Sequence, residues 1–315
     1  METIAYYDGQ IGSPDELTVP FNDRTHFFGD GVYDAAMGVN GRVFLIDDHL
    51  DRFYSSAAIF GINVPMGRDE LGRLLHDLLA RVEGPSHLVY WQVSRGIQLR
   101  GHAYDPAIPG VLSAVMIPDP IGDPDVPFKL ITHEDLRFGY CHVKTLNLMP
   151  AVQYAQLATL AGADETVLHR DGIVTECAHS NVSILRGGTL YSHPNDNHIL
   201  RGIAKTHLIQ ACYREGVEVM ERAFTLDELM EADEVIVTAS SHPCTFASEV
   251  DGVPVGGHDP QTLARLQQAT YKELFDYCGI DASPREQTNA PDHQRTGIPG
   301  GRSGSLFRRP IGRWS

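Results

Sequence analysis

Lys144 lies in the stretch CHVKTLNLMP, residues 141–150, near the end of an apolar segment that reads as a strand and just before a helix-forming run. Only four of the 25 lysines and arginines are lysines (Lys129, Lys144, Lys205, Lys272), so lysine is not what this chain ordinarily places on a solvated face. An amine does something that a guanidinium cannot. Once desolvated it loses its proton, attacks a carbonyl and forms a Schiff base, whereas arginine stays charged. The plain alternative is a lysine whose stem packs along a strand end and whose ammonium stays in water.

A Schiff-base lysine working with pyridoxal phosphate needs an anion beside the pyridine nitrogen, a cradle for the phosphate and a positive charge for the substrate carboxylate. Glu176, following the strand DGIVT among small or neutral neighbours, is a candidate anion. Gly202-Ile203-Ala204 opens a helix, whose free N–H groups and dipole suit a phosphate, and Ser240-Ser241 at the end of an apolar strand add hydroxyl and amide donors. Arg52 in HLDRFY can supply the positive charge. Each also has an ordinary reading, as a surface acid, a helix arginine or a turn. Two other chemistries lack support. The GxG of Phe28–Tyr33 has neither a third glycine nor a strand-to-helix unit of dinucleotide-binding length, and the fifteen histidines form no HExxH or tight Cys/His cluster, so no metal is expected.

The elements that must position these groups mix strands and helices in both halves, which predicts an α+β protein rather than a doubly wound sheet. Hairpins are expected at Asp8-Gly9, Asn40-Gly41, Asp171-Gly172 and Gly187-Gly188. Helical periodicity covers 48–61 and 69–82, the second with Leu71, Leu74, Leu75, Leu78, Leu79 and Val82 on one stripe. HLVYWQVSRG and Val111–Ile117 read as neighbouring strands. The proline-rich PDPIGDPDVPF then reads as a linker. Beyond it, FKLITHEDL and the Lys144 stretch read as strands, 151–160 and 202–214 as helices, VEVMERAF and EADEVIVTASS as strands, and Thr225–Glu228 as a capping box. A last helix spans 260–277, with Lys272 and Glu273 as an expected solvated pair. The expected division is an N-terminal domain over 1–118, a linker over 119–128, a C-terminal domain over 129–282, and a disordered Pro/Gly/Arg-rich tail over 283–315.

A net charge of −16 argues against a nucleic-acid partner, because neutralising phosphates takes a basic surface. With 42% hydrophobic and 21% charged residues the composition is that of a globular protein, and no run of apolar residues is long enough to span a membrane. Five cysteines without a CxxC pair read as reduced thiols, and with no leader-like N-terminus the expected location is the cytoplasm.

Eight stretches, in order, resemble the fold-type IV pyridoxal-phosphate transaminases and most closely those acting on D-amino acids. They are FGDGVYD (28–34), DDHLDRFYSSA (47–57), QVSRGIQLRGH (92–102), VKTLNLM (143–149), ETVLHRDGIVTE (165–176), SNV (180–182), ILRGI (199–203) and VTASS (237–241). The resemblance spans about residues 4 to 280 and implies a small N-terminal α+β domain, a larger barrel-like C-terminal domain and a homodimer. It makes Lys144 the cofactor-bearing lysine and the acid/base at the substrate α-carbon, and places Glu176 on the pyridine nitrogen. Arg52 then holds the phosphate, with Ile203, Ala204, Ser240 and Ser241. Tyr33, Arg100 and His102 become a trap for the substrate carboxylate, the last two reaching in from the partner subunit. The Arg-x-His ending of SRGIQLRGH is the part that resembles the D-specific enzymes. The implied reaction moves an amino group between a D-amino acid such as D-alanine and a 2-oxo acid such as 2-oxoglutarate. The alternatives are other activities of this fold, a 4-amino-4-deoxychorismate lyase or a branched-chain L-amino-acid transaminase, or an idle cofactor-binding protein. One departure stands out: Cys177-Ala178-His179-Ser180 replaces a Gly/Ser-rich run of the family, and its imidazole either narrows the pocket, alters the preferred side chain or points into solvent.

Overall fold

The computed structural model describes residues 2–280; the tail expected over 283–315 lies outside the described residues. The first sheet is antiparallel throughout, in the order β2-β1-β6-β5-β3-β4. Its strands are β1 (Ile4–Tyr7), β2 (Gln10–Gly12), β3 (Gly31–Val39), β4 (Arg42–Val43), β5 (Ser86–Ser94) and β6 (Val111–Pro118). Asp8-Gly9 and Asn40-Gly41 form the expected turns, each pair with positive φ (45° and 88°; 50° and 72°), the geometry whose twist matches a hairpin. A short helix, α1 (Arg24–Phe28), precedes β3, and α2 (Ile46–Ile59) and α3 (Arg68–Leu79) cover the sheet. Leu71, Leu75, Leu78 and Leu79 are buried in one core with Phe53, Val89, Trp91 and Val93, while Leu74 and Val82 at the edges of the stripe are only partly covered.

Residues 119–127 carry no helix or strand and lead into the second sheet. This sheet is mixed, in the order β12-β11-β10-β13-β14-β7-β8-β9, with β15 paired to β14. Its strands are β7 (Phe128–Glu134), β8 (Glu165–Arg170), β9 (Ile173–Cys177), β10 (Asn181–Arg186), β11 (Thr189–Ser192), β12 (Glu218–Glu221), β13 (Glu234–Thr238), β14 (Thr245–Val250) and β15 (Val253–Pro254). Asp171-Gly172 and Gly187-Gly188 again take positive φ at their turns. The edge strand β9 is joined to the interior strand β10 by only three residues, and Cys177 N–H donates to Ser180 O across that corner. So short a connection between strands far apart in the sheet order requires the sheet to curl back on itself, and the hollow of that curl is where the functional groups gather.

Helices α4 (Met149–Ala161), α5 (Ile203–Glu215), α6 (Leu226–Met230) and α7 (Pro260–Cys278) complete the fold. The Thr225 hydroxyl accepts from Glu228 N–H, and Glu228 returns the bond to Thr225 N–H, the expected capping box. Met37, Phe44 and Leu45 from the first sheet and its loop pack with Leu208, Leu266, Tyr271 and Phe275 of α5 and α7, so one apolar core crosses between the two halves.

Two local expectations are corrected. Lys272 pairs with Asp276 one turn on, not with Glu273, whose carboxylate takes His207 at 2.7 Å and Arg214 at 2.9 Å. The Lys144 stretch is not a strand. Residues 141–148 are irregular and touch β3 through a single bridge, Tyr33 N–H donating to Lys144 O at 2.9 Å and Leu146 N–H to Gly31 O at 3.0 Å. The cause lies in β3: β4 reaches only Gly38 and Val39, so the first residues of β3 keep a free edge, long enough for one bridge but not for a strand.

Candidate active site

A cleft of about 880 Å³, including its open mouth, lies between β3, the 137–148 loop, the β9–β10 corner, the start of α5 and the end of β13. Tyr33, Arg52, Lys144, Glu176, Ile203, Ala204 and Ser240 all line it, although they come from positions spread over more than 200 residues of the chain. Volume and mixed lining are those of a small-molecule site.

The single bridge to β3 sets Lys144. Its backbone is pinned to Tyr33 N–H, and its half-buried side chain carries Nζ to 4.5 Å from the centre of the Tyr33 ring. Among the described residues this amine has no ion pair and no hydrogen bond, so nothing need be broken before it reacts. The Tyr33 ring is in turn stacked on Tyr90, 5.4 Å between centroids, whose hydroxyl donates to Gln92 at 2.7 Å.

Glu176 sits on β9 and is 5% exposed. Three donors fix its carboxylate: Arg137 Nη1 at 2.7 Å, Asn181 Nδ2 at 2.9 Å and Leu200 N–H at 3.0 Å. Burial pushes the carboxyl up, Arg137 opposes it, and the balance lies at about 7. Glu176 is therefore poised to ionise fully when one more donor or positive charge approaches it in the cleft. Arg137 is itself gripped by Asp135, at 2.9 and 3.0 Å, so the guanidinium cannot swing away. Sequence reasoning missed Arg137 and Asn181. The Asp-x-Arg spacing of EDLRF is the visible trace of the former, and SNV contains the latter without marking what its amide holds.

Arg52, on α2, makes a two-pronged pair with the buried Asp34, at 2.8 and 2.6 Å, and donates through Nη1 to Arg201 O. His49, one turn earlier, donates through Nδ1 to the same carboxylate at 2.7 Å. Burial alone would raise the Asp34 carboxyl, but Arg52 and His49 hold it well below the usual carboxylate range. The pair orients the Arg52 guanidinium at the cleft wall beside the first turn of α5.

That turn begins at Gly202, and no side chain caps it. A Cβ at Gly202 would fall 1.8 Å from Asn181 Oδ1, so only glycine lets the helix start this close to the group that holds Glu176. The uncapped amides and the helix dipole favour an anion. In the same cleft lining, Thr238, the register partner of Asn181, keeps a buried Oγ1 without a hydrogen-bond partner, and Ser240 Oγ donates to Ala35 O at 3.1 Å. A buried hydroxyl is rarely left unpaired, and one in the same cleft lining as an uncapped helix start marks a place suited to a polar group. Thr238 belongs to the VTASS stretch, but nothing in the sequence gives it a role apart from Ser240 and Ser241. Ser241 does not line the cleft: its hydroxyl meets His242 Nδ1 at 3.1 Å and its carbonyl accepts from Gly122.

Arg100 and His102 are also absent from this chain's own cleft. Both lie over the Phe28 ring, with Arg100 Cζ 5.2 Å and the His102 ring 5.3 Å from its centroid. His179, in the departing run, lines the cleft with its ring paired to Glu165 at 2.8 Å. Away from the cleft, the fold brings His193, Asp196 and His198 together with ligand atoms within 4.8 Å of one another, a grouping that the spacing had not indicated. All five cysteines are free thiols, and no described helix is long and apolar enough to cross a membrane.

One cleft thus brings together an unpaired amine, a buried carboxylate and an uncapped helix start. Residues 31–250 match the family model for amino-transferase class IV, and the chain belongs to that family. It is 38% identical over 272 residues to a D-alanine aminotransferase of Listeria monocytogenes (serotype 4b, strain F2365), covering 84% of this chain and 94% of that one. It is 34% identical over 264 residues to a D-alanine aminotransferase of Bacillus licheniformis, covering 83% and 93%. Its fold matches branched-chain amino acid aminotransferases of Thermoproteus uzoniensis (TM-score 0.78, 21% identity, 88% and 95% covered) and Escherichia coli (0.78, 20%, 86% and 94%).

Proposed function

We propose that this chain is a pyridoxal 5′-phosphate-dependent transaminase that moves the amino group of a D-amino acid such as D-alanine to a 2-oxo acid such as 2-oxoglutarate. The observation that carries the reading is the unpaired Lys144 amine sharing one cleft with the buried Glu176 and the uncapped start of α5. The relatives named D-alanine aminotransferase direct the reading to D-amino acids.

When bound, pyridoxal phosphate supplies a carbonyl for an amine and a ring that accepts the electron pair left on the α-carbon. The residues fit that group. Glu176, held by Arg137 and Asn181, would take the pyridine N–H. Ile203 and Ala204 amides, Ser240, the unpaired Thr238 hydroxyl and Arg52 would take the phosphate. Lys144 Nζ is the base that takes the proton from the substrate α-carbon and returns it on the other side of the exchange. Tyr33, beside it, limits how the substrate lies.

Arg100 and His102 would receive the α-carboxylate in the cleft of a second copy of the chain, which makes the active form a homodimer. Free thiols and an acidic, ligand-binding fold support a cytoplasmic location. The domain division proposed above, with a boundary near 119–128, puts the cleft between two halves. The test is pyruvate formation from D-alanine and 2-oxoglutarate by cofactor-loaded protein. Pyruvate from D-alanine is expected, with no pyruvate from L-alanine and no 4-methyl-2-oxopentanoate from L-leucine; none from the D-isomer overturns the reading.

A further inference from the structure

The corner between β9 and β10 contains a polar arrangement that the proposed reaction does not use. Glu165, at the start of β8, is fully buried and accepts from Thr166 N–H at 2.8 Å, Ser180 Oγ at 2.9 Å, His179 N–H at 3.3 Å and His179 Nδ1 at 2.8 Å. Its carboxylate is well supplied without the imidazole, so satisfying Glu165 does not require a histidine at 179. What the pairing does is fix the ring. A carboxylate only accepts, so Nδ1 carries the proton, and Nε2 is left without a partner among the described residues. The side chain is 61% exposed and lines the same cleft as Lys144.

We infer that His179, oriented by Glu165, receives the distal carboxylate of a dicarboxylic amino or oxo acid and thereby sets the acceptor preference of the cleft. The inference rests on the transaminase reading, in which Lys144 fixes the α-carbon and the α-carboxylate is held elsewhere, so that the substrate's far end is what meets the wall at residue 179. Protonated, Nε2–H offers a charged donor to a carboxylate. Neutral, the same atom turns a lone pair toward it and repels it. The groups facing the ring are Glu165 from β8, Lys144 from the loop before α4 and His242 beyond β13. The hydrogen bond to Glu165 raises the imidazole above its ordinary value, against burial and Lys144, so the donor persists above the usual histidine range and is lost as pH rises through the raised value.

The test uses holoenzyme, two unreactive probes, glutarate and butyrate, and two acceptors, 2-oxoglutarate and pyruvate, with His179→Ser and His179→Arg. Calorimetry should show the preference for glutarate over butyrate falling about tenfold in His179→Ser, one charge-assisted hydrogen bond, and returning in His179→Arg. The KM ratio of 2-oxoglutarate to pyruvate should rise by a similar factor. In the wild type, the glutarate preference should decline with rising pH; in His179→Ser it should be flat. A preference that neither the substitution nor pH moves, in holoenzyme that still turns over pyruvate, overturns this inference alone. Protein that binds no cofactor and turns over neither acceptor overturns the transaminase reading beneath it.

Discussion

Glu176 shows how a single buried group sets measurable behaviour. In cofactor-free protein its carboxyl is raised from 4.5 to about 7, chiefly by burial. The folded state therefore holds a proton between those values that the unfolded chain has released. The stability this contributes is fully present below 4.5 and is lost as pH rises towards 7, by about 3 kcal/mol for a shift of that size. Denaturation of the cofactor-free protein across this window should show that loss, and Glu176→Gln should flatten it; an unchanged slope in the variant would mean that another group carries the proton. The candidate site was legible where chemistry restricts the residue type. A lysine among few lysines, an acid after a strand and a glycine opening a helix all reached one cleft. Beyond the Asp-x-Arg spacing and the VTASS run, the roles of Arg137 and Thr238 were not legible, because a guanidinium or hydroxyl acquires such a role only when β7, β9 and β13 are brought together.

At the scale of elements, the start of α5 joins the anion cradle to the Glu176 anchor. Gly202→Ala would drive a methyl into Asn181 Oδ1, whose amide is committed to Glu176 and Leu200 O. Asn181 must move, so both the cradle and the anchor suffer. Overpacking of this kind costs about 1–3 kcal/mol, and cofactor affinity should fall by roughly tenfold or more, read as the pyridoxal phosphate concentration needed to half-saturate the protein. Unchanged affinity would place the phosphate elsewhere. The hairpins were legible because Asp-Gly, Asn-Gly and Gly-Gly turns are local and their positive φ restricts composition. The Lys144 segment was misread as a strand for the opposite reason. Its apolar pattern matches one, but strand formation needs a partner edge, and only the first residues of β3 offer it.

The whole molecule carries the question of the second subunit. Lys144 faces this chain's cleft while Arg100 and His102 lie over Phe28 outside it. If the carboxylate trap crosses a dimer interface, mixing inactive Lys144→Ala with impaired Arg100→Ala subunits creates heterodimers with one intact site, and activity should recover well above either parent. Absence of recovery, with exchange verified by mass, would place the trap within one chain. The α+β class was legible from the alternation of patterns, but the curl of the second sheet was not, because it arises from pairings between β14, β7 and β8 that no local stretch encodes.

The most direct test of the central claim is the visible spectrum of purified, cofactor-loaded protein before and after adding D-alanine and, separately, L-alanine, with Lys144→Ala alongside. The account predicts a visible band of lysine-bound cofactor that D-alanine alone discharges and that Lys144→Ala lacks. A protein that cannot be loaded, or a band discharged only by the L-isomer, would contradict it.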